Sequence, residues 1–149
     1  HPFSDDLKPI LEFLQKTEAA TLADLNIEMT RMIAKHLGTE ADFKFAHKIP
    51  ISGERTERLV HICDYLKCDE YLSPQGSMEY LMQDGDFDKS QVRLSFQDYV
   101  PKPYPQKNSP SEFISHLSIV DVIANLGWDQ SSLYIENKYS MAQNDGEGK

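Results

Sequence analysis

The chain has 149 residues, of which 40% are apolar and 26% charged, proportions that suit one globular domain and argue against wholesale disorder. Its 24 acidic residues outnumber 15 basic ones, and the net charge of −9 argues against general binding to nucleic acid phosphates. No uninterrupted apolar run approaches the roughly 20 residues that span a bilayer, so we expect no membrane insertion.

The first part of the chain predicts two helices. Residues 5–16 place four apolar side chains on one helical face: Leu7, Ile10, Leu11 and Leu14. Thr21 and Asp24 form a variant of the capping box, so a second helix is expected to begin after Thr21. Its apolar positions recur at helical spacing up to Gly38, which is expected to end the helix in a left-handed conformation.

The middle of the chain predicts alternating strands and helices. Residues 42–47 alternate like a short strand, with Phe43 and Phe45 on one side. A helix follows Ser52, and its apolar stripe includes Cys63. A brief strand is expected at residues 69–72, a turn at 73–76 and a short helix at 77–82. Residues 91–97 then alternate as a clear strand.

The last part of the chain predicts one more helix. Ser118 and Asp121 form a second variant of the capping box, and the helix is expected to stop at Gly127. Residues 137–149 are polar and rich in glycine, which indicates a flexible tail. The order of elements therefore predicts a single α/β domain over residues 1–136, layered, with a small and mainly parallel sheet flanked by helices.

The two cysteines, Cys63 and Cys68, match neither a CxxC pattern nor a zinc pattern. Because Cys63 falls in an apolar periodic run, a buried free thiol is expected there. Reduced thiols are typical of a cytoplasmic protein.

Open α/β sheets bind their ligands beyond the carboxyl ends of the strands. Two segments of this sequence follow predicted strands and are therefore candidate binding sites. The first is the turn containing Ser73, Gly76 and Ser77, whose free N–H groups could hold an anion. A turn that merely redirects the chain explains the same residues.

The second segment is FQDYVPKPYPQ, residues 96–106. Its three prolines restrict the backbone and could hold Asp98, Tyr99, Tyr104 and Gln106 in place to bind a sugar. Alternatively the prolines cross a sheet edge and the tyrosines cover the core. For Asp98 we favour the functional interpretation.

Other polar residues give weaker signals. The five histidines show no metal-ligand spacing, and we expect no metal or cofactor; only His116 lies near the loop, as a candidate general acid or base. Ser118 and Asp121 are better explained by capping than by nucleophilic catalysis. Arg55 and Arg58, in the first turns of a helix, suggest a nearby anion or acidic partner, although exposure to solvent also explains them.

The order of motifs resembles the WbqC-like protein family. The resemblance lies in TLADLNIEM (residues 21–29), ERLVHIC (57–63), EYLSPQGSMEYL (70–81), VRLSFQDYVPKPYPQ (92–106) and FISHLSIVDVIANLGW (113–128). The last two are the most specific. The family's N-terminal segment with a His-Gln-Pro motif is not matched, so the resemblance implies a domain that is truncated at its front.

The resemblance implies a role in bacterial surface polysaccharide (O-antigen) biosynthesis, with a transferase acting on a nucleotide-linked sugar as the usual assignment. In that case Asp98 and His116 are the candidate catalytic residues. The expected substrate-binding residues are Ser73, Gly76, Ser77, Tyr80, Tyr99, Tyr104 and Gln106. The alternative is a non-catalytic scaffold of a glycan-assembly complex, and the oligomeric state is left open.

Overall fold

The computed structural model of the protein describes residues 1–107 and 112–139. These residues form five α-helices: α1 (Lys8–Lys16), α2 (Leu22–His36), α3 (Arg55–Leu66), α4 (Met78–Asp84) and α5 (Ile119–Ile135). Two strands, β1 (Glu70–Ser73) and β2 (Arg93–Phe96), pair in parallel. The predicted mixed α/β class with a small parallel sheet is confirmed.

The chain divides into two compact units. We call Phe43–Val100 the sheet unit, because it contains α3, β1, α4 and β2. The helical unit consists of His1–Asp42 and Pro101–Lys149 and contains α1, α2 and α5. The loop FQDYVPKPYPQ therefore contributes its first five residues to the sheet unit and its remaining six to the helical unit.

In the helical unit, α2 begins and ends as its sequence predicts. Thr21 Oγ1 accepts a hydrogen bond of 3.1 Å from the Asp24 N–H and donates one of 2.7 Å to Asp24 Oδ2. Gly38 has φ = 74°, and the following N–H of Thr39 donates to the carbonyl of Ala34, which closes the end of the helix. The N-terminal cap and the glycine stop are both confirmed.

Helix α5 does not end at Gly127, so that prediction is wrong. Gly127 has φ = 76° and ψ = 171°, a break after which the helix resumes and runs to Ile135. The second half can begin there because Asp6 Oδ2 accepts a hydrogen bond of 3.3 Å from the N–H of Trp128. The Trp128 indole N–H also donates to the Asp6 carbonyl, at 2.8 Å. A partner 122 residues away in the chain thus turns the predicted stop into a kink.

The core of the helical unit is built around α5. Four residues form its buried cluster: Tyr104, Val122, Leu126 and Tyr134. The Tyr104 ring packs edge-on against Tyr134 and Phe113, with ring centroids 5.3 Å apart in both pairs. The second half of the proline-rich loop therefore supplies part of this core through Tyr104.

The sheet unit has its own core on one face of the two strands. Its buried members are Val60, Cys63, Leu81, Phe87 and Val92. The predicted burial of Cys63 and the inward alternation of the second strand are confirmed, since Leu94 and Phe96 pack against this cluster. Helix α4 lies between β1 and β2 in the chain, so the parallel pair is connected through a helix, as parallel strands require.

The strand predicted at residues 42–47 is wrong. Residues 46–48 instead form a 3-10 turn, in which the Lys48 N–H donates to the Phe45 carbonyl at 2.9 Å. The Lys48 Nζ also lies over the Phe45 ring, 4.6 Å from its centroid. A strand needs a neighbour for its backbone groups, and within the described residues only β1 and β2 pair. Local hydrogen bonds therefore decide the conformation of this segment.

Most of the predicted C-terminal tail, residues 140–149, lies outside the described residues, so its flexibility stays a prediction. Just before it, the N–H groups of Lys138 and Tyr139 donate to the Leu133 carbonyl at the end of α5. In the described ranges, every helix is too short or too polar to cross a membrane.

Candidate functional site

Two of the predicted site segments leave the same edge of the sheet. The parallel register places Ser73, the last residue of β1, beside Phe96, the last residue of β2. The N–H of Gln97 donates a hydrogen bond of 2.8 Å to the Ser73 carbonyl, which continues the pairing by one residue. The turn after β1 and the pair Asp98 and Tyr99 after β2 therefore both begin at the carboxyl edge.

Ser73 contributes a buried polar atom to this edge. The residue is 1% exposed, and its Oγ makes no hydrogen bond of normal geometry within the described residues. Burial raises the pKa of Tyr71, the Tyr80 phenol adds to the rise, and the Ser73 hydroxyl opposes it. A buried hydroxyl that makes no hydrogen bond of normal geometry is uncommon, although the Ser131 hydroxyl in α5 is a second example. A group of a bound ligand could satisfy the Ser73 hydroxyl.

The turn after Ser73 is open. Gly76 has no atom within 4 Å of the position that a Cβ would occupy, and its φ is not left-handed. Ser77 occupies the N-cap position of α4 without using its side chain as a cap. The backbone of Ser77 is committed, since its N–H donates to the Pro74 carbonyl at 3.1 Å. Neither steric crowding nor backbone strain therefore requires glycine at position 76, and the Ser77 hydroxyl is available to a ligand.

A groove of about 530 Å³ lies in the sheet unit, lined by Arg55, Leu59 and Tyr80. Tyr80 is 37% exposed and belongs to α4. Arg55 Nη2 lies 3.4 Å from Asp84 Oδ1, and Thr56 Oγ1 donates a hydrogen bond of 2.6 Å to Asp84 Oδ2. The acidic partner suggested for Arg55 is thus Asp84, and 66% of the Arg55 side chain remains exposed.

The backbone of Arg55 is strained. As the first residue of α3 it has φ = 48°, a region that side chains with a Cβ seldom occupy. Arg58, one turn later, donates to the carbonyls of Ile51 and Ala46. Both arginines at the start of α3 therefore have partners within the chain, whereas the sequence alone could not distinguish such partners from a bound anion or from solvent.

Asp98 and Tyr99 are exposed, and Tyr99 keeps 54% of its surface. The Asp98 carboxylate makes no hydrogen bond or ion pair with any residue in the described ranges. A carboxylate with no internal partner at the end of a strand is free to accept hydrogen bonds from a ligand.

Three predicted site residues lie in the helical unit. Tyr104 is buried at 6% exposure, and its hydroxyl donates a hydrogen bond of 2.8 Å to Asp121 Oδ2. The side-chain amide of Gln106 pairs with the Ile114 backbone in both directions, at 2.8 and 2.9 Å. His116 is exposed with φ = 59°, and its Nδ1 lies 3.0 Å from Ser115 Oγ. The polar groups of Tyr104 and Gln106 thus have internal partners, whereas the His116 ring faces solvent.

Asn125 organises a polar network that the sequence did not reveal. It is 4% exposed, and its Nδ2 donates to the Asp121 carbonyl and carboxylate at 2.8 and 3.2 Å. Its Oδ1 accepts from the Lys107 N–H at 3.0 Å and lies 3.1 Å from His1 Nδ1. The Ser118 side chain caps α5 by accepting a hydrogen bond from the Val120 N–H. The Asp121 carboxylate belongs to the network around Asn125 and not to the cap. The one available signal was an asparagine inside an apolar helical run.

The described residues contain no group of three His, Cys, Asp or Glu side chains that could hold a metal ion.

Comparison with family models matches residues 1–133 to the WbqC-like protein family. This range contains every motif that carries the resemblance, and it also covers the first twenty residues. Comparison with curated proteins gives no match, and neither does comparison with solved structures.

Proposed function

Because the chain belongs to the WbqC-like protein family, we propose that it is a transferase that modifies a nucleotide-linked sugar in bacterial surface polysaccharide (O-antigen) biosynthesis. The supporting observation is the register of the sheet, in which Ser73 lies beside Phe96. The polar and aromatic residues that follow the two strands therefore all lie after the carboxyl edge of the sheet, where α/β proteins bind their ligands.

In this proposal Asp98 orients a hydroxyl or amine of the nucleotide-linked sugar, which is the acceptor. It takes the proton of that group as the bond to the transferred group forms and the bond from the transferred group to its donor breaks. Its exposed carboxylate has no competing partner in the described residues, which leaves its oxygens available. Tyr99 and Tyr80 offer aromatic faces to the sugar ring, and both are partly exposed. Sugar rings present C–H groups that pack on such faces, while their hydroxyls need polar partners.

The phosphate groups of the nucleotide-linked sugar are assigned to the turn after β1 and to Arg55. The Ser77 hydroxyl has no capping role, the Ser73 Oγ makes no hydrogen bond of normal geometry in the described structure, and Gly76 leaves space for a close approach. Arg55 holds one contact of 3.4 Å to Asp84, so most of its five donors remain for a phosphate. The proposal rests on residues of the sheet unit alone.

Saturation-transfer NMR against a panel of sugar nucleotides tests this proposal. We expect binding by the wild-type chain, a loss of at least about tenfold in affinity for Asp98→Asn, and no change for Asp88→Asn, an exposed aspartate of the same unit. Tyr80→Ala is expected to weaken binding, with Tyr65→Ala, another exposed tyrosine, as its control. Binding that is equal in Asp98→Asn and Asp88→Asn contradicts the assignment of the site.

A second candidate function, an interaction module of a glycan-assembly complex, is favoured by apolar exposure in the helical unit. Leu11, Leu14 and Leu22 are 53%, 46% and 71% exposed, and α2 has no buried residue. Unpartnered apolar side chains of this kind are typical of protein interfaces. Pull-down of glycan-assembly proteins by the wild-type chain but not by Leu11→Asp/Leu14→Asp supports this function. Turnover of a sugar nucleotide by the purified chain, with no stable protein partner, argues against it.

A further inference from the structure

At the end of α3, a backbone hydrogen bond connects the two cysteines. Lys67 has φ = 58°, its N–H donates to the Asp64 carbonyl at 3.1 Å, and the N–H of Cys68 donates to the Cys63 carbonyl at 2.8 Å. This pair of hydrogen bonds around one left-handed residue is the Schellman motif. The hydrogen bond that spans more residues links the residue after the left-handed position to the residue five positions earlier, and here both are cysteines.

From this hydrogen bond we expect the two Cα atoms to lie within the range of a disulfide. Residues that share a backbone hydrogen bond in an antiparallel pair have Cα atoms roughly 5.5 Å apart. Disulfides span Cα separations of about 4.4–6.8 Å. In the Schellman motif, moreover, the side chains at these two positions frequently touch. The separation that the sequence alone presents as five residues is therefore short in space.

The environments of the two thiols are different and complementary. Cys63 is buried at 5% exposure in the core of the sheet unit, whereas Cys68 is exposed. Burial raises the pKa of the Cys63 thiol, and Cys68 is the next largest cause, ahead of Asp64, as expected for neighbouring sulfurs. Cys68 can therefore meet an oxidant in solution, while Cys63 is protected from it and lies close by.

We propose that Cys63 and Cys68 are a redox pair that forms an intrachain disulfide when the protein meets a peroxide. The Cys68 thiolate attacks a peroxide oxygen, the O–O bond breaks, and Cys68 becomes a sulfenic acid as water or an alcohol leaves. The Cys63 sulfur, after losing its proton, attacks the Cys68 sulfur, and the S–O bond breaks as a second water departs. The two thiols together supply the two electrons that reduce the peroxide.

The bridge closes a ring across the junction between α3 and β1. Strand β1 begins two residues after Cys68, and the Asp69 carbonyl between them accepts a hydrogen bond of 2.8 Å from the Arg93 N–H. Oxidation thus ties the end of α3 to the start of the sheet. This site is independent of the proposed sugar chemistry.

Mass spectrometry of the reduced protein after titration with hydrogen peroxide tests the pair. We expect the intact chain to lose the mass of two hydrogen atoms. Trypsin cleaves after Lys67, between the two cysteines, so residues 59–67 and 68–89 should appear as one disulfide-linked pair of peptides. Cys68→Ser and Cys63→Ala should each abolish the linked pair. A chain that instead gains oxygen on Cys68 without the linkage, or that forms intermolecular dimers, overturns the proposal.

A second measurement separates the effect of the fold from mere closeness in sequence. The equilibrium of the pair with reduced and oxidised glutathione is measured for the folded chain and for the chain unfolded in urea. We expect the folded chain to favour the disulfide at least tenfold more, because the Schellman motif holds the two backbones together. An equal or smaller preference in the folded chain overturns the inference that this geometry creates the site.

Discussion

The Tyr104 hydroxyl donates a hydrogen bond of 2.8 Å to Asp121 Oδ2 and thereby fastens the proline-rich segment to the first turn of α5. Four further hydrogen bonds connect residues 102–107 to the rest of the helical unit. The Tyr134 hydroxyl donates to the Lys102 carbonyl, and Lys102 Nζ donates to the Asn137 carbonyl. Gln106 Nε2 donates to the Ile114 carbonyl, and the Lys107 N–H donates to Asn125 Oδ1. The stiffness of residues 101–106 therefore serves the packing of the helical unit. Only Asp98 and Tyr99, which precede the prolines, remain exposed as candidates for ligand binding.

Replacing Tyr104 by phenylalanine isolates the hydrogen bond to Asp121. The ring contacts are retained, but the charge-assisted bond is lost, so we expect the free energy of unfolding to fall by about 1–2 kcal/mol. Urea denaturation measures this change. Tyr99→Phe, which removes the hydroxyl of an exposed tyrosine in the same loop, should alter stability by less than about 0.5 kcal/mol. Equal effects of the two substitutions would contradict the assignment of Tyr104 to the core.

Gly127→Ala tests the kink in α5. A Cβ at this position would lie 2.9 Å from both Asp6 Oδ2 and Phe3 Cδ1, and the φ of 76° is unfavourable for any other residue. We expect a loss of about 2–4 kcal/mol, measured by thermal or urea unfolding. Gly76→Ala is the matched control, since space is open there and φ is ordinary. It should be neutral or stabilise the fold by up to about 1 kcal/mol.

Lys67→Gly should stabilise the sheet unit. Lys67 occupies the left-handed position that ends α3, where a side chain with a Cβ is strained and glycine is not. We expect the free energy of unfolding to rise by about 1 kcal/mol. Lys67→Ala removes the charge and keeps the Cβ, so its stability should stay near that of the wild type. A gain in both variants would show that the charge, rather than the conformation, is responsible.

The carboxylate of Glu70 should titrate below the ordinary range of a glutamate. Hydrogen bonds from Arg93 and then from Ser95 lower its pKa. Since the folded pKa lies below the unfolded value of about 4.3, this contribution to stability is present above that pH and is lost as the pH falls through the folded pKa. Carbon-detected NMR titration of the carboxyl group measures the shift.

Ser95→Ala removes one of the two donors, so it should raise the pKa of Glu70 toward the unfolded value. Ser90→Ala, whose hydroxyl donates to backbone carbonyls elsewhere in the sheet unit, should leave that pKa unchanged. A Glu70 pKa that does not respond to Ser95→Ala would show that Arg93 alone determines it.

Features that depend on neighbours in the chain could be predicted from the sequence. Thr21 caps α2 and Gly38 ends it because both act on backbone groups within a few residues. The second strand and the burial of Cys63 follow from apolar periodicity, which needs only that one face be covered. The family could be identified for a related reason, since its motifs are contiguous stretches of sequence.

Features that depend on distant partners were decided only by the tertiary structure. Residues 42–47 alternate like a strand but have no neighbouring strand to pair with in the described structure. Tyr99 and Tyr104 are equivalent in the sequence, yet one is exposed and the other is buried against Asp121, because only the packing of α5 distinguishes them. Asp84 and Asn125 find their partners through folding, across separations of 18 to 124 residues. Hydrogen bonds between residues so far apart in the chain have no periodic signature, so the sequence does not predict which residues they join.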